Sequence, residues 1–154
     1  MKRSPHLMQL SREHHTALLL AKRAQRLGKG TAAEAAAFMS ELPDIFGGEL
    51  EPHFQVEEIA LLSALQNSGG TEHVVGMVER TVAEHEALRA LARRIGAHDF
   101  ASLAPFGELL DAHVRFEERE LFGLAESLLT AEALARIEAA AQWRGSDRCP
   151  AVPS

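Results

Sequence analysis

Two segments of the chain carry the same pattern. His53-Phe54-Gln55-Val56-Glu57-Glu58-Ile59-Ala60-Leu61-Leu62 and His113-Val114-Arg115-Phe116-Glu117-Glu118-Arg119-Glu120-Leu121-Phe122 both read His-x-x-apolar-Glu-Glu-x-x-Leu-apolar. Two further segments, His15-Thr16-Ala17-Leu18 and His85-Glu86-Ala87-Leu88, both read His-x-Ala-Leu. The order along the chain is His, His-x-x-x-Glu, His, His-x-x-x-Glu, so the second half repeats the first.

On a helix, residues four apart stand about 40° apart in azimuth and one turn apart in height. His53 and Glu57 therefore point at one place, and so do His113 and Glu117. Val56, Leu61, Phe116 and Leu121 lie near the same faces, which turns those faces inward. Burying an imidazole and a carboxylate without compensation is costly. A bound cation compensates both. His15, His53, Glu57, His85, His113 and Glu117 suffice for two metals with bridging carboxylates and open or water positions. Imidazole with carboxylate suits iron, manganese or zinc. One His-x-x-x-Glu pair alone is more often a surface hydrogen bond or weak ion pair. The doubling, in a matched apolar frame with two more matched histidines, points to metal.

The elements that must position these residues are helical. Ala, Leu, Glu and Arg abound, Val and Ile are sparse, and strand-like alternation is absent. The first helix is expected from an N-cap at Ser11 through Leu27, stopped by Gly28 and Gly30. A helical stretch follows from Thr31 to Leu42, and Pro43 with Gly47-Gly48 should bend or interrupt it. The second helix proper carries His53 to about Leu65, with Pro52 marking a kink or local restart. Asn67-Ser68-Gly69-Gly70 is a loop, Thr71 caps the third helix, and Gly96 ends it. The fourth helix covers roughly Asp99 to Ser127. Four helices with short connections predict an all-α, up-down-up-down four-helix bundle. A short C-terminal helix from Thr130 to about Trp143 follows, with Trp143 packing it onto the bundle. One domain over 1–144 and a flexible tail over 145–154 complete the expected organisation.

Composition narrows the chemistry. The chain has 154 residues, eight histidines, one cysteine (Cys149) and no tyrosine. A single thiol excludes a disulfide framework, a zinc ribbon and a CxxC redox pair, and the absence of Tyr excludes a tyrosyl radical. A net charge of −6 argues against nucleic acid as a partner. No apolar run approaches a membrane span, and the N-terminal segment is too short in apolar residues for a signal peptide. The expected location is the cytoplasm. No His-Glu-x-x-His occurs, and none of the eight histidines has Glu three residues before it, which disfavours a zinc protease and the Glu-x-x-His di-iron bundles. His6, His73 and His98 read as surface residues, and Glu58 and Glu118 as solvated or as orienting the imidazoles.

Leu10-Ser11-Arg12-Glu13-His14-His15, His53-Phe54-x-x-Glu57-Glu58, Glu84-His85 and His113-x-x-x-Glu117-Glu118 together resemble the hemerythrin-like, or HHE cation-binding, family. The resemblance covers residues 10 to about 128. It implies a four-helix bundle around a non-haem di-iron centre bridged by carboxylates and an oxo or hydroxo group. By that resemblance His15, His53, His85 and His113 are terminal ligands, and Glu57 and Glu117 bridge or chelate. Oxygen-carrying members have His-x-x-x-His on the third helix; here Thr81 stands at the earlier position. Oxygen carriers also use an acid five residues after the fourth-helix His, which is Glu118, whereas the internal repeat favours Glu117. His14 and His15 are adjacent, and alignment on the shared Ala-Leu favours His15. The implied role is to bind or sense dioxygen, nitric oxide or peroxide, or to handle iron. The partners expected are a small diatomic molecule or peroxide, and a second copy in a homodimer. A di-iron enzyme (peroxidase-like or iron–sulfur repair) and a structural module with a vestigial site are the alternatives.

Overall fold

A computed structural model describes residues 2–145. Most of the expected tail over 145–154, Cys149 included, lies outside the described residues. Among those described there are five helices and no strand. We label them α1 (Met8–Gly28), α2 (residues 32–66), α3 (Glu72–Gly96), α4 (residues 103–128) and α5 (Ala131–Gly145). The connections between α1, α2, α3 and α4 are short, so successive helices run antiparallel. No described helix is long and apolar enough to cross a membrane.

The helix starts follow cap chemistry in two places. Thr31 accepts from Glu34 N while the Glu34 carboxylate accepts from Thr31 N, a complete capping box that opens α2. Thr71 accepts from Val74 N and opens α3, as expected. Ser11 is not a cap. The helix begins at Met8 after a 3-10 turn over Pro5–Leu7, which Ser4 caps. The reason is hydrophobic: Leu7 and Leu10 are both buried, so the chain is drawn into the core a turn earlier than the cap pattern suggests. The Ser11 hydroxyl instead donates to the Glu118 carboxylate at 2.8 Å.

The expected break at Pro43 and Gly47-Gly48 does not occur. Residues 32–66 form one continuous helical run. It passes from α-helical to π-helical geometry at Phe46–Leu50, returns at Glu51–Val56, and is π-helical again at Glu57–Leu62. α-Helical geometry thus restarts at Glu51-Pro52, at the predicted point. A third π segment, Glu117–Leu121, lies within α4. Two of the three begin at the repeated glutamates Glu57 and Glu117, and such widened turns concentrate at functional sites. The close approach of α1 and α4 depends on Gly107. A Cβ there would stand 2.6 Å from the Ala21 carbonyl oxygen, and the Gly107 carbonyl accepts from Gln25 Nε2 at 3.0 Å.

The interior divides into two apolar clusters. One gathers Ala17, Leu20, Ala21, Ala24, Phe38, Phe54, Leu88 and Leu110. The other gathers Leu7, Leu10, Leu61, Val78, Phe116, Phe122 and the inner face of α5. α5 is anchored by Leu134, Ile137 and Ala141, not by Trp143, which is 78% exposed. Between the two clusters lies a layer of buried polar side chains: His14, His53, Glu57, Thr81, His85, His113 and Glu117.

Candidate metal centre

The polar layer is built from the repeated sequence units. His53 and Glu57 come from α2 and His113 and Glu117 from α4, each pair one turn apart on an inward face. α3 contributes His85. α1 contributes His14, which is 2% exposed, while the predicted His15 faces solvent. The assignment of the first helix to His15 is therefore corrected. Ala17, Leu20, Ala21 and Ala24 form the buried stripe of α1, and His14 continues it one turn before Ala17 and Leu18. His15 stands about 100° round from that stripe. The shared Ala-Leu misled the alignment; the shared Glu-His dipeptide, Glu13-His14 and Glu84-His85, is the true match.

The inner atoms converge. His53 Nε2 lies 2.9 Å from Glu57 Oε2, and His113 Nε2 lies 2.9 Å from Glu117 Oε2. His14 Nε2 stands 2.8 Å from Glu117 Oε1 and 3.5 Å from Glu57 Oε2. His85 Nε2 stands 3.1 Å from Glu57 Oε1 and 3.6 Å from Glu117 Oε2. Two overlapping groups result, His14, His53, Glu57, Glu117 and Glu57, His85, His113, Glu117, whose donor atoms lie within 4.8 Å of one another in each group. Both share the two glutamates. His53 Nε2, Glu57 Oε2, His113 Nε2 and Glu117 Oε2 are buried yet make no aligned hydrogen bond. Buried polar atoms left so are rare and call for a partner; a cation on which these atoms converge is one. The donor set fits a divalent metal.

An outer layer of carboxylates fixes the imidazoles. His14 Nδ1 lies 2.6 Å from Glu118 Oε2, His53 Nδ1 2.7 Å from Glu13 Oε1, His85 Nδ1 2.7 Å from Glu58 Oε2, and His113 Nδ1 2.7 Å from Glu84 Oε1. An ionised carboxylate only accepts, so each Nδ1 donates and each Nε2 is turned to the centre. This is the bracing that orients metal-bound histidines. The hydrogen bond from His85, then the one from Arg89, hold Glu58 below the usual carboxylate range against the opposing effect of burial. Burial pushes Glu84 and Glu118 up, but the hydrogen bonds from His113 and His14 outweigh it and both are lowered.

Aromatic rings close the layer above and below. Phe54 stacks on His85 with centroids 3.9 Å apart, and Phe122 stacks on His14 at 5.1 Å. Arg89 lies over Phe54 and bonds Glu58, and Arg3 lies over Phe122 and bonds Glu118. Each half of the site thus has its own arginine, carboxylate and ring. Glu13, Glu84, Arg3 and Arg89 carried no assigned role in the sequence. The Glu-His dipeptides could have pointed to the two glutamates; nothing local marks the arginines, because their partners are distant in the chain.

The metal-free cluster is tightly charged. Burial pulls the His85 imidazole down, but the facing carboxylates of Glu117, Glu57 and Glu58 carry it up to about 11. His113 reaches about 9 by the same balance of burial against Glu117. His14 and His53 are also raised. Burial and the neighbouring Glu117 charge push Glu57 up, but His53 and His14 prevail and it falls to about 2. Glu117 is likewise held well below its ordinary value. Glu118 takes no inner position: it braces His14. Thr81 donates to the Met77 carbonyl at 2.8 Å, and the matching position on α1, four residues before His14, is the buried Leu10. Neither helix adds a second imidazole.

The profile of the Hemerythrin HHE cation binding domain matches residues 6–125. Searches of curated proteins and of solved structures return no match.

Proposed function

From the chain's membership of the hemerythrin HHE cation-binding domain family, we propose that its buried cluster holds two divalent ions, iron in the first instance, with manganese or zinc able to occupy the same donors. His14 and His53 serve one ion, His85 and His113 the other, and Glu57 and Glu117 are shared. The observation that carries this reading is the doubled group of convergent donors, with every imidazole braced from behind by a carboxylate. Four donors around each ion leave positions free for a further ligand. Bound iron there supplies a redox-active Lewis acid for a diatomic molecule or peroxide. The chain's own residues exclude bulk water and fix the imidazole orientations. The protein works in the cytoplasm in this reading, with a small molecule as its partner; the net charge of −6 disfavours nucleic acid.

Metal analysis of the native protein, with anaerobic reconstitution by ferrous ion, tests the proposal. About two ions per chain are expected, with loss of both when His53→Ala and His113→Ala are combined. Metal content unchanged by that double substitution overturns it.

A further inference from the structure

One of the three widened turns supplies no donor to the centre. The π-helical segments at Glu57 and Glu117 carry the shared glutamates, whereas the one at Phe46–Leu50 carries none of the convergent side chains. It follows Pro43, which has no N–H to give to the helix, and contains Gly47-Gly48. This turn borders a groove between α2 and α3 of about 690 Å³, within the ~300–1,000 Å³ of small-molecule sites. Gly47 and Ala92 keep it open, and a Cβ on Gly47 would meet nothing within 4 Å. At one end Gly96 approaches Pro43 so closely that a Cβ there would stand 2.9 Å from Pro43 Cγ. At the other end Arg89 clamps Glu51, through Nε at 2.8 Å and Nη2 at 3.0 Å.

The walls are mainly apolar, with the Phe46 ring among them. Glu51 is the one acid on them, and Arg89 takes both of its oxygens. Arg93 also lines the groove; it is exposed and makes no ion pair among the described residues. An apolar trough with one unclaimed guanidinium and no unclaimed carboxylate fits an organic anion with an apolar body. Two contacts lead from the groove to the centre. Phe46 meets Phe54 edge-on at 5.8 Å, and Phe54 stacks on His85. Arg89 Nη1 reaches Glu86 at 2.8 Å and Glu58 at 3.0 Å, and Glu58 braces His85.

We propose that this groove is a regulatory site for a small organic carboxylate, with its apolar body against Phe46 and its charge on Arg93, and that Arg89 couples its occupancy to His85. A carboxylate in the groove competes with Glu58 for the Arg89 guanidinium and so loosens the brace behind His85. Metal, by fixing His85 and through it Glu58, holds Arg89 away from the groove. The two ligands therefore oppose one another, by the same factor in either direction. The coupling rests on the metal reading above; the groove itself does not.

Naphthoate is the probe, titrated into isotope-labelled metal-free protein and followed by backbone amide shifts. The shifts are expected to concentrate at Gly47, Ala92 and Gly96. Inorganic phosphate has the charge without the body, and naphthylmethanol the body without the charge. Each is expected to bind at least about threefold more weakly than naphthoate. Arg93→Gln removes the charge partner, and Gly47→Leu grows into the open space; each is expected to weaken naphthoate by at least about threefold. Zinc(II)-loaded protein is expected to bind naphthoate at least about threefold more weakly than metal-free protein, and Arg89→Gln to abolish that difference. No shift at millimolar naphthoate, shifts confined to other positions, or the alcohol binding as tightly as the carboxylate overturns the site. Equal or tighter binding to the zinc-loaded native protein overturns the coupling. Failure of the native protein to take up stoichiometric zinc overturns the metal reading instead, and the metal-free titration still decides the groove.

Discussion

Glu118 Oε2 lies 2.6 Å from His14 Nδ1, so a carboxylate from the second repeat holds the imidazole of the first. Glu58 does the converse for His85 at 2.7 Å. Glu13 and Glu84 brace His53 and His113 within their own repeats. The two halves are therefore cross-tied, and the ties do not touch the metal positions. Replacing such a brace loosens the imidazole without removing a ligand. Glu118→Gln and Glu58→Gln are each expected to weaken metal binding by about 10–100-fold, as outer partners of metal histidines do, with stoichiometry intact at saturating metal. Competition against a chelator of known affinity checks this. Affinity equal to the native protein's would show that the braces do not orient the imidazoles.

His14 and His15 give a sharper contrast, being adjacent in sequence and opposite in exposure. His14→Ala is expected to lower metal content by at least one ion per chain, whereas His15→Ala leaves it unchanged. His14→Ala also takes one hydrogen-bonding partner each from Glu117 and Glu118, although Glu118 keeps Ser11 and Arg3, so a loss of stability of about 1–3 kcal/mol is expected in the metal-free protein. Metal analysis and chemical denaturation of the two variants separate the effects. Equal metal loss in both would return the ligand role to the pair as a whole.

This pair also shows where sequence reasoning stopped. The i,i+4 spacing of His53 with Glu57 and of His113 with Glu117 brings each pair together because helix geometry alone determines it. Likewise the caps at Thr71 and the loop at 67–70 are local chemistry. The choice between His14 and His15 depends on the phase of α1, and that phase is set by Leu7, Leu10 and Ala17 packing against distant helices. Continuity through Pro43 was equally illegible: α2 passes into π-helical geometry at Phe46–Leu50, and no composition rule announces that. The Glu-His dipeptides mark Glu13 and Glu84, but the imidazole that each braces is fixed only where α1 meets α2 and α3 meets α4.

Removing the metal should cost stability, because a ligand that binds only the native state stabilises it by mass action. One ion at 100 times its dissociation constant contributes about 2.7 kcal/mol. For a domain of this size each kcal/mol moves the melting temperature by about 2–4 °C. Chelation is therefore expected to lower the melting temperature by roughly 5–10 °C per ion at that saturation. Calorimetry before and after exhaustive chelation, and after adding ferrous ion back anaerobically, measures it. An unchanged transition would mark the centre as vestigial.

The metal-free protein should have an unusual pH profile. His85 rises from 6.5 to about 11 and His113 to about 9 in the fold. A raised imidazole contributes stability that is fully present below about 6.5 and is lost as pH climbs through the folded value. Glu57 falls from 4.5 to about 2, so its contribution is present above about 4.5 and is lost as pH drops toward 2. Stability of the chelated protein is thus expected to be greatest between about pH 4.5 and 6.5 and to decline steadily toward pH 9 to 11. Metal reverses the upper limb. The ions need the same four Nε2 atoms unprotonated, so proton and metal compete and metal affinity rises with pH. Denaturant titrations of the two forms at pH 5.5, 8 and 9.5 should diverge, and metal binding at pH 8 should release protons measurable in buffers of different ionisation enthalpy. Chelated protein that gains stability between pH 6.5 and 9, or metal uptake without proton release, contradicts the competition.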